Sequence, residues 1–293
     1  MIGNHMAPKG TLSPKAAWLS LPERWPTLAV RHPEFVAVLG HLGDTLRKLF
    51  VRTFKTVPQS LAVYGLGRMC VEDFIEILFL VENGFDMTGI KLLRGLYERA
   101  ITAEIISVDK GDAELFYNYH AINAYKAHQR AKAVYKDQWR PKSIQEDVAW
   151  YEKVKCTYNM ERCATCKRPL QLGWSPDSLE ALAEKVGKIF AKRYSRERQS
   201  HFRDLYLACA EMPNPHIHAS MFSIFSRLQE NGNYLAHKDD YREQGIIATS
   251  TAHALMSLVV ETQDRFFDLG FSDDLQHVYA DFEIAWPVLD LQP

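Results

Sequence analysis

The stretch "GIKLLRGLYERAITAEII", residues 89–106, decides the fold class. Its apolar residues do not alternate, as they would on a strand half buried in a sheet. At about 100° per residue, Ile90, Leu93, Leu96, Tyr97, Ala100, Ile101 and Ile105 share one wide helical face, while Lys91 and Arg99 point to the opposite, solvated side. Three charged residues break this pattern. Arg94 falls inside the apolar arc, Glu98 at its margin and Glu104 close to its middle. Arg94 and Glu98 stand four apart and can pair along the helix. On a surface, such a pair contributes at most about 0.5 kcal/mol. If buried, it must be fully hydrogen-bonded, because one unpaired buried charge costs several kcal/mol.

Working outward, the helical period persists almost everywhere. Candidate helices span residues 32–54, 59–83, 87–109, 112–136, 142–155, 176–190, 196–211, 219–230 and 241–269, and strand signals are nearly absent. Asn83-Gly84, Gly111 and Gly270 follow three of these segments as stop signals, and Ser175-Pro176 reads as an N-cap with a first-turn proline. Residues 140–174, rich in Cys, Lys and Arg, form the one irregular insertion. The chain therefore reads as all-α, a single bundle-like helical domain over residues 32–270. Residues 1–31 read as a tag remnant and N-terminal arm, and residues 271–293 as a C-terminal tail.

Composition narrows the classes. The 293 residues are 47% hydrophobic and 24% charged, with a formal net charge of -1, so no long-range field draws the chain to nucleic acid or to an anionic membrane. No apolar run approaches the roughly 18 residues needed to cross a bilayer, and "MIGNHMAPKG" lacks the layout of a signal peptide. Five cysteines, three of them in one loop, do not make a secreted disulfide framework; the expected compartment is the cytoplasm.

The preceding helix carries the same anomaly. "GLGRMCVEDFIEILFLVENG" sets Arg68, Glu72, Asp73 and Glu76 against Phe74, Ile75, Ile77, Leu78, Phe79 and Leu80. Two successive helices with charge beside a core point to a polar cluster of Arg68, Asp73, Arg94 and Glu98. That cluster is either an ion-pair network fixing helix register or a binding or catalytic site.

These residues, "R…D…IL.L" with "LLRGLYE", followed downstream by "GW…LA…G……LY…HAS", resemble an uncharacterised, mainly prokaryotic helical family, domain of unknown function 5677. The likeness rests on Arg68, Asp73, Leu92, Leu93, Arg94, Glu98, Trp174, Leu182, Gly187, Tyr206 and His218-Ala219-Ser220, and covers roughly residues 60–225. It implies an all-helical fold and no established activity, and it points to Arg94, Glu98 and His218 as residues that converge. Around "EMPNPHIHAS" the chain departs from the pattern, because two prolines and a second histidine, His216, leave two candidates for one position.

Several chemistries are excluded by their missing signatures: a phosphate-binding Gly-x4-Gly-Lys-Ser/Thr loop, His-Glu-x-x-His, Gly-x-Ser-x-Gly, and the Glu-x-x-His pairs of a di-iron bundle. "GLGRMC" looks like a dinucleotide loop, but it lies inside a helix with no strand before it. "RERQSH", residues 196–201, matches the Arg-x4-6-His motif of HEPN ribonucleases, yet roughly two such matches are expected by chance. "GNYLAH" resembles a second form of that motif but has Gly232 where the catalytic arginine belongs. A helical nuclease of this kind would act on RNA as a homodimer. His216 and His218 at a helix start would serve either as a general base or as core hydrogen-bonding groups. Tyr117, Tyr119, His120, Tyr125, His128 and Tyr135, interleaved with Lys126, Arg130 and Lys132, would either stack bases or fill a core.

Two readings of function follow. One is an interaction or sensor module with a buried Arg/Glu/His cluster; the alternative is an RNA-cleaving or nucleotide-processing effector in prokaryotic defence. The catalytic candidates of the second are His218, Arg94, Glu98 and His216.

Cys156, Cys163 and Cys166 offer three thiolates toward a structural zinc, with a fourth ligand to be recruited from Cys209, His201 or His128. The alternative is three free thiols. Metal analysis of the purified protein separates the two: a zinc site gives about one equivalent, and less than about half an equivalent overturns it.

Overall fold

The structure, a computed structural model, describes residues 14–51, 57–136, 144–158, 173–193, 201–217 and 242–286. Among these residues there is no strand, and the chain is all-α. Two short 3-10 turns, Pro14–Ser20 and Pro22–Arg24, precede α1 (Pro26–Arg31), α2 (Pro33–Phe50), α3 (Pro58–Glu82) and α4 (Asp86–Val108). Then come α5 (Lys110–Tyr135), α6 (Ile144–Val154), α7 (Leu179–Arg193), α8 (His201–Tyr206) with a π turn at Leu207–Glu211, α9 (Asn214–Ile217), α10 (Arg242–Phe267) and α11 (Ser272–Ala285). The expected helix at 219–230 lies outside the described residues.

Contacts divide the chain into two units. One holds residues 1–108 and 179–293, the other residues 109–178. In the first, α4 is the central element and packs on α3, α10, α7 and the π turn, while α11 packs on α2 and α10. Proline begins α1, α2 and α3, where a missing N–H costs nothing. The stop at Asn83-Gly84 is a Schellman turn. Gly84 has φ +75°, the Phe85 N–H donates to the Leu80 carbonyl at 2.7 Å, and the Gly84 N–H donates to that of Val81 at 3.0 Å. This closes α3 onto α4.

α1, α9 and α11 fall outside every helix range expected from the sequence. α11 lies in the stretch read as a tail; it starts at Phe271 with no side-chain cap, and its packing on α2 and α10 buries Val278, Ala285 and the following Trp286. α1 is six residues long and is held from elsewhere: the carboxylate of Glu82 accepts from the backbone N–H groups of Thr27 and Leu28 at 2.8 and 2.9 Å.

The second unit is built from α5, α6 and a 3-10 turn at Lys155–Tyr158. Asp109 caps α5, its side chain accepting from the Asp112 N–H at 2.9 Å. Tyr119, Ala121, Ile122, Val154 and Tyr158 form its core, with Trp150, Tyr151 and Trp174 packed alongside. Of the aromatic residues considered for base stacking, Tyr117, Tyr119, His120 and Tyr125 are engaged by rings of α6 and the following 3-10 turn, while Tyr135 is exposed. Tyr117 and His120 lie against Trp150, and Tyr125 stacks on Tyr151 at 3.7 Å. His128 pairs with Asp147 at 3.0 Å.

The "GLG" of α3 owes nothing to a nucleotide. A Cβ on Gly67 would run into the side-chain amide of Gln263 and stand 3.0 Å from Phe50 Cζ, whereas one on Gly65 would meet nothing within 4 Å. The buried Gln263 amide donates to the Val63 carbonyl at 2.7 Å, so it cannot withdraw without losing that bond. Gly67→Ala is therefore expected to lower the stability by about 1–3 kcal/mol. Gly65→Ala should raise it by about 0.5–1 kcal/mol, the usual gain of alanine over glycine inside a helix. Denaturant titration of the two variants checks both signs.

Candidate functional site

Among the described acidic residues of the first unit, Glu104 is the best buried. Helical periodicity places it on the apolar face of α4, with 0% of its surface exposed. A carboxylate taken from water at this depth costs several kcal/mol unless its lone pairs are filled. Here they are filled from two other helices. Thr262 Oγ1 donates at 2.7 Å and Arg265 Nη2 at 2.7 Å to one oxygen, and Arg193 Nη2 donates at 3.2 Å to the other. Arg193 turns its other nitrogen to the buried Glu261 at 3.2 Å, and Arg265 also donates to Ser107 Oγ at 2.7 Å. Tyr279 of α11 donates its hydroxyl to Glu261. Two carboxylates thus meet two guanidiniums, and the cluster carries no net charge. Burial works to lower the pKa of Arg193, but the carboxylates of Glu104 and Glu261 outweigh it and hold the guanidinium above its ordinary range.

A cavity of about 370 Å³ lies beside this cluster. Its walls are Phe190 of α7, Phe202 and Leu205 of α8, residues of α10 including Ala254, Ser257 and Leu258, and Tyr279, Phe282 and Glu283 of α11. Two of these residues belong to both features. Tyr279 lines the cavity and bonds to Glu261, and Phe190 lines it while Arg193 lies 5.1 Å from its ring centroid. On the α8 side, Tyr97 of α4 donates to the Phe202 carbonyl at 2.8 Å. The π turn that follows α8 widens the helix just beyond the wall, a distortion often found beside functional sites.

The residues singled out in the sequence are placed differently. Arg94 is half-buried and donates to Asn214 Oδ1 in the "NPHIH" segment, and it forms no ion pair with Glu98, which is exposed. Asp73 pairs with Arg99, the residue assigned to the solvated face. Burial pushes the Asp73 carboxyl up to about 6, against the pull of Arg99. Arg68 and His216 are half-buried, and His218 lies outside the described residues. Cys156 is exposed, and Cys163 and Cys166 also lie outside the described residues. Among the described residues no group of three or more His, Cys, Asp or Glu is placed to hold a metal.

Sequence reasoning noticed Glu104 but not its partners. The available signal is the run "STAHALMSLVVETQDRFF" of α10, where Glu261, Thr262 and Gln263 continue an apolar face into the core; nothing near Glu104 marks Arg193 or Arg265. The same helix buries His253 among Phe35, Phe282 and Trp286. Trp286 Nε1 donates to His253 Nδ1 at 3.2 Å, which puts the imidazole proton on Nε2, and burial pushes the pKa down to about 3.

The chain belongs to the family of unknown function DUF5677, whose sequence profile matches residues 61–235 of the 293. Neither the curated proteins nor the solved structures compared with it gave a match. The matched stretch contains Glu104, Arg193, Phe190 and Phe202, and it ends before α10 and α11 supply the remaining walls.

Glu104→Ala leaves Arg265 without its carboxylate and Arg193 with Glu261 alone, and is expected to cost about 3–5 kcal/mol, while Glu98→Ala should leave the melting temperature unchanged; parallel thermal melts compare them. A pH series tests the buried titrating groups. His253 has a folded pKa near 3, below its unfolded value of 6.5, so the folded state binds fewer protons and stability falls as pH drops from 6.5. Asp73 acts in the opposite direction, gaining stability as pH falls from about 6 toward 3.8. His253→Gln should accordingly flatten the acid decline of the melting temperature, and Asp73→Asn should steepen it.

Proposed function

We propose that this DUF5677 member is a helical sensor or binding module that takes a small, largely apolar molecule between α7, α8, α10 and α11. One observation carries the reading: the cavity of about 370 Å³ has apolar walls, and two wall residues are tied into the buried Glu104–Arg193–Glu261–Arg265 cluster. Apolar pockets of this size with a few fixed polar groups are the usual form of a small-molecule site. The cluster gives the walls a fixed geometry, so little ordering is required when a ligand enters.

Thermal melts with a series of phenylalkyl alcohols test this. A ligand present at about 100 times its Kd stabilises the folded state by about 2.7 kcal/mol, well within the resolution of a melt. Ala254→Phe, which fills the cavity from α10, is expected to melt no lower than the parent and to lose the response to every alcohol. A parent that shows no shift, or a variant that keeps it, overturns the reading. Cleavage of total RNA that disappears in His218→Ala would replace it with the ribonuclease alternative.

A further inference from the structure

We propose that the cavity selects an organic cation, a molecule with an aromatic or aliphatic body and one amine or quaternary ammonium group seated near Glu283. The proposal rests on the cavity being a binding site, as argued above, and adds the charge of what it binds.

Three observations carry it. Among the described residues lining the cavity, Glu283 is the one charged side chain, and no described lysine or arginine lines it. Glu283 is exposed and forms no ion pair among the described residues, so its charge is available at the rim. Four of the ten lining residues, Phe190, Phe202, Tyr279 and Phe282, carry rings whose π faces attract positive charge within about 6 Å.

Among the described residues, the basic groups beside the cavity do not cancel this bias. Arg193 lies by the Phe190 ring, but Glu104 and Glu261 engage it from α4 and α10. Arg265 is committed to Glu104 and Ser107. Two carboxylates and two guanidiniums cancel, which among the described residues leaves Glu283 as a net negative charge on the site. His253, the neighbouring imidazole of α10, stays neutral because burial opposes its charging. An anion entering the cavity would meet this carboxylate, and a neutral molecule would gain apolar burial alone. A cation gains burial, ring attraction and a carboxylate partner together. A carboxylate at the rim can also keep water around the ammonium, so the charge is paired without full desolvation.

Three molecules of matched shape separate charge from burial: 4-phenylbutyltrimethylammonium, 4-phenylbutan-1-ol and 4-phenylbutyrate. Each is titrated calorimetrically into the full chain at pH 7. The cation is expected to bind about tenfold more tightly than the alcohol, and the anion weakest of the three. Glu283→Gln should remove the tenfold preference and leave the affinity for the alcohol unchanged; the side chain is exposed, so folding is unaffected. Equal binding of cation and alcohol, preference for the anion, or a preference that survives in Glu283→Gln overturns the charge selection while leaving the cavity reading intact. Failure of all three to bind, or equal binding to Ala254→Phe, overturns both.

Discussion

A carboxylate placed in oil must be answered by donors from elsewhere in the chain, and Glu104 sets that demand at the centre of the first unit. Thr262, Arg265 and Arg193 meet it from α10 and α7, at sequence distances of 158, 161 and 89 residues. Each bond has one narrow geometry, so the register of α10 and α7 on α4 is fixed more sharply than apolar packing alone would fix it. Glu261 extends the constraint to α11 through Tyr279. Ridges of Leu, Ile and Val tolerate sliding by a turn; a guanidinium between two carboxylates does not.

The cavity follows from this arrangement. Aromatic side chains of α7, α8 and α11 meet at a place where α10 offers Ala254 and Ser257, which are too short to fill the space between them. In a core held only by apolar contacts, such a gap would tend to collapse as neighbours relax into it. Here Phe190 and Tyr279 are tethered from behind by Arg193 and Glu261, so the walls stand. The polar cluster and the apolar space beside it are one construction.

The helices were legible because periodicity reports a face directly. α3, α4, α5 and α10 fall within a few residues of where spacing and stop signals put them, and the Asn83-Gly84 turn is made as its residues suggest. What periodicity lacks is the identity of the facing partner. Glu104 stood out in the sequence as a charge on an apolar face, yet nothing local pointed to Arg193 or Arg265. Arg94 was tied to the histidine segment through the family resemblance, and it does reach that segment, at Asn214. Arg99 was read as solvated because it lies opposite the apolar arc of α4; α3 packs alongside and brings Asp73 to it. α11 was missed because its apolar positions are few and its start has no polar cap, so packing on α2 and α10 determines it.

Glu82 shows how far this dependence on facing partners can go. In the last turn of α3 a negative charge opposes the helix's own dipole, and by local rules it is misplaced. Across the interface the same carboxylate receives the first N–H groups of α1, where negative charge belongs. A six-residue helix is far below the roughly 12 residues at which an isolated helix holds in water. α1 is therefore a conditional helix: its amide protons at Thr27 and Leu28 should exchange with solvent at the rate set by the opening of α3, so this short N-terminal segment reports the integrity of a helix more than fifty residues away.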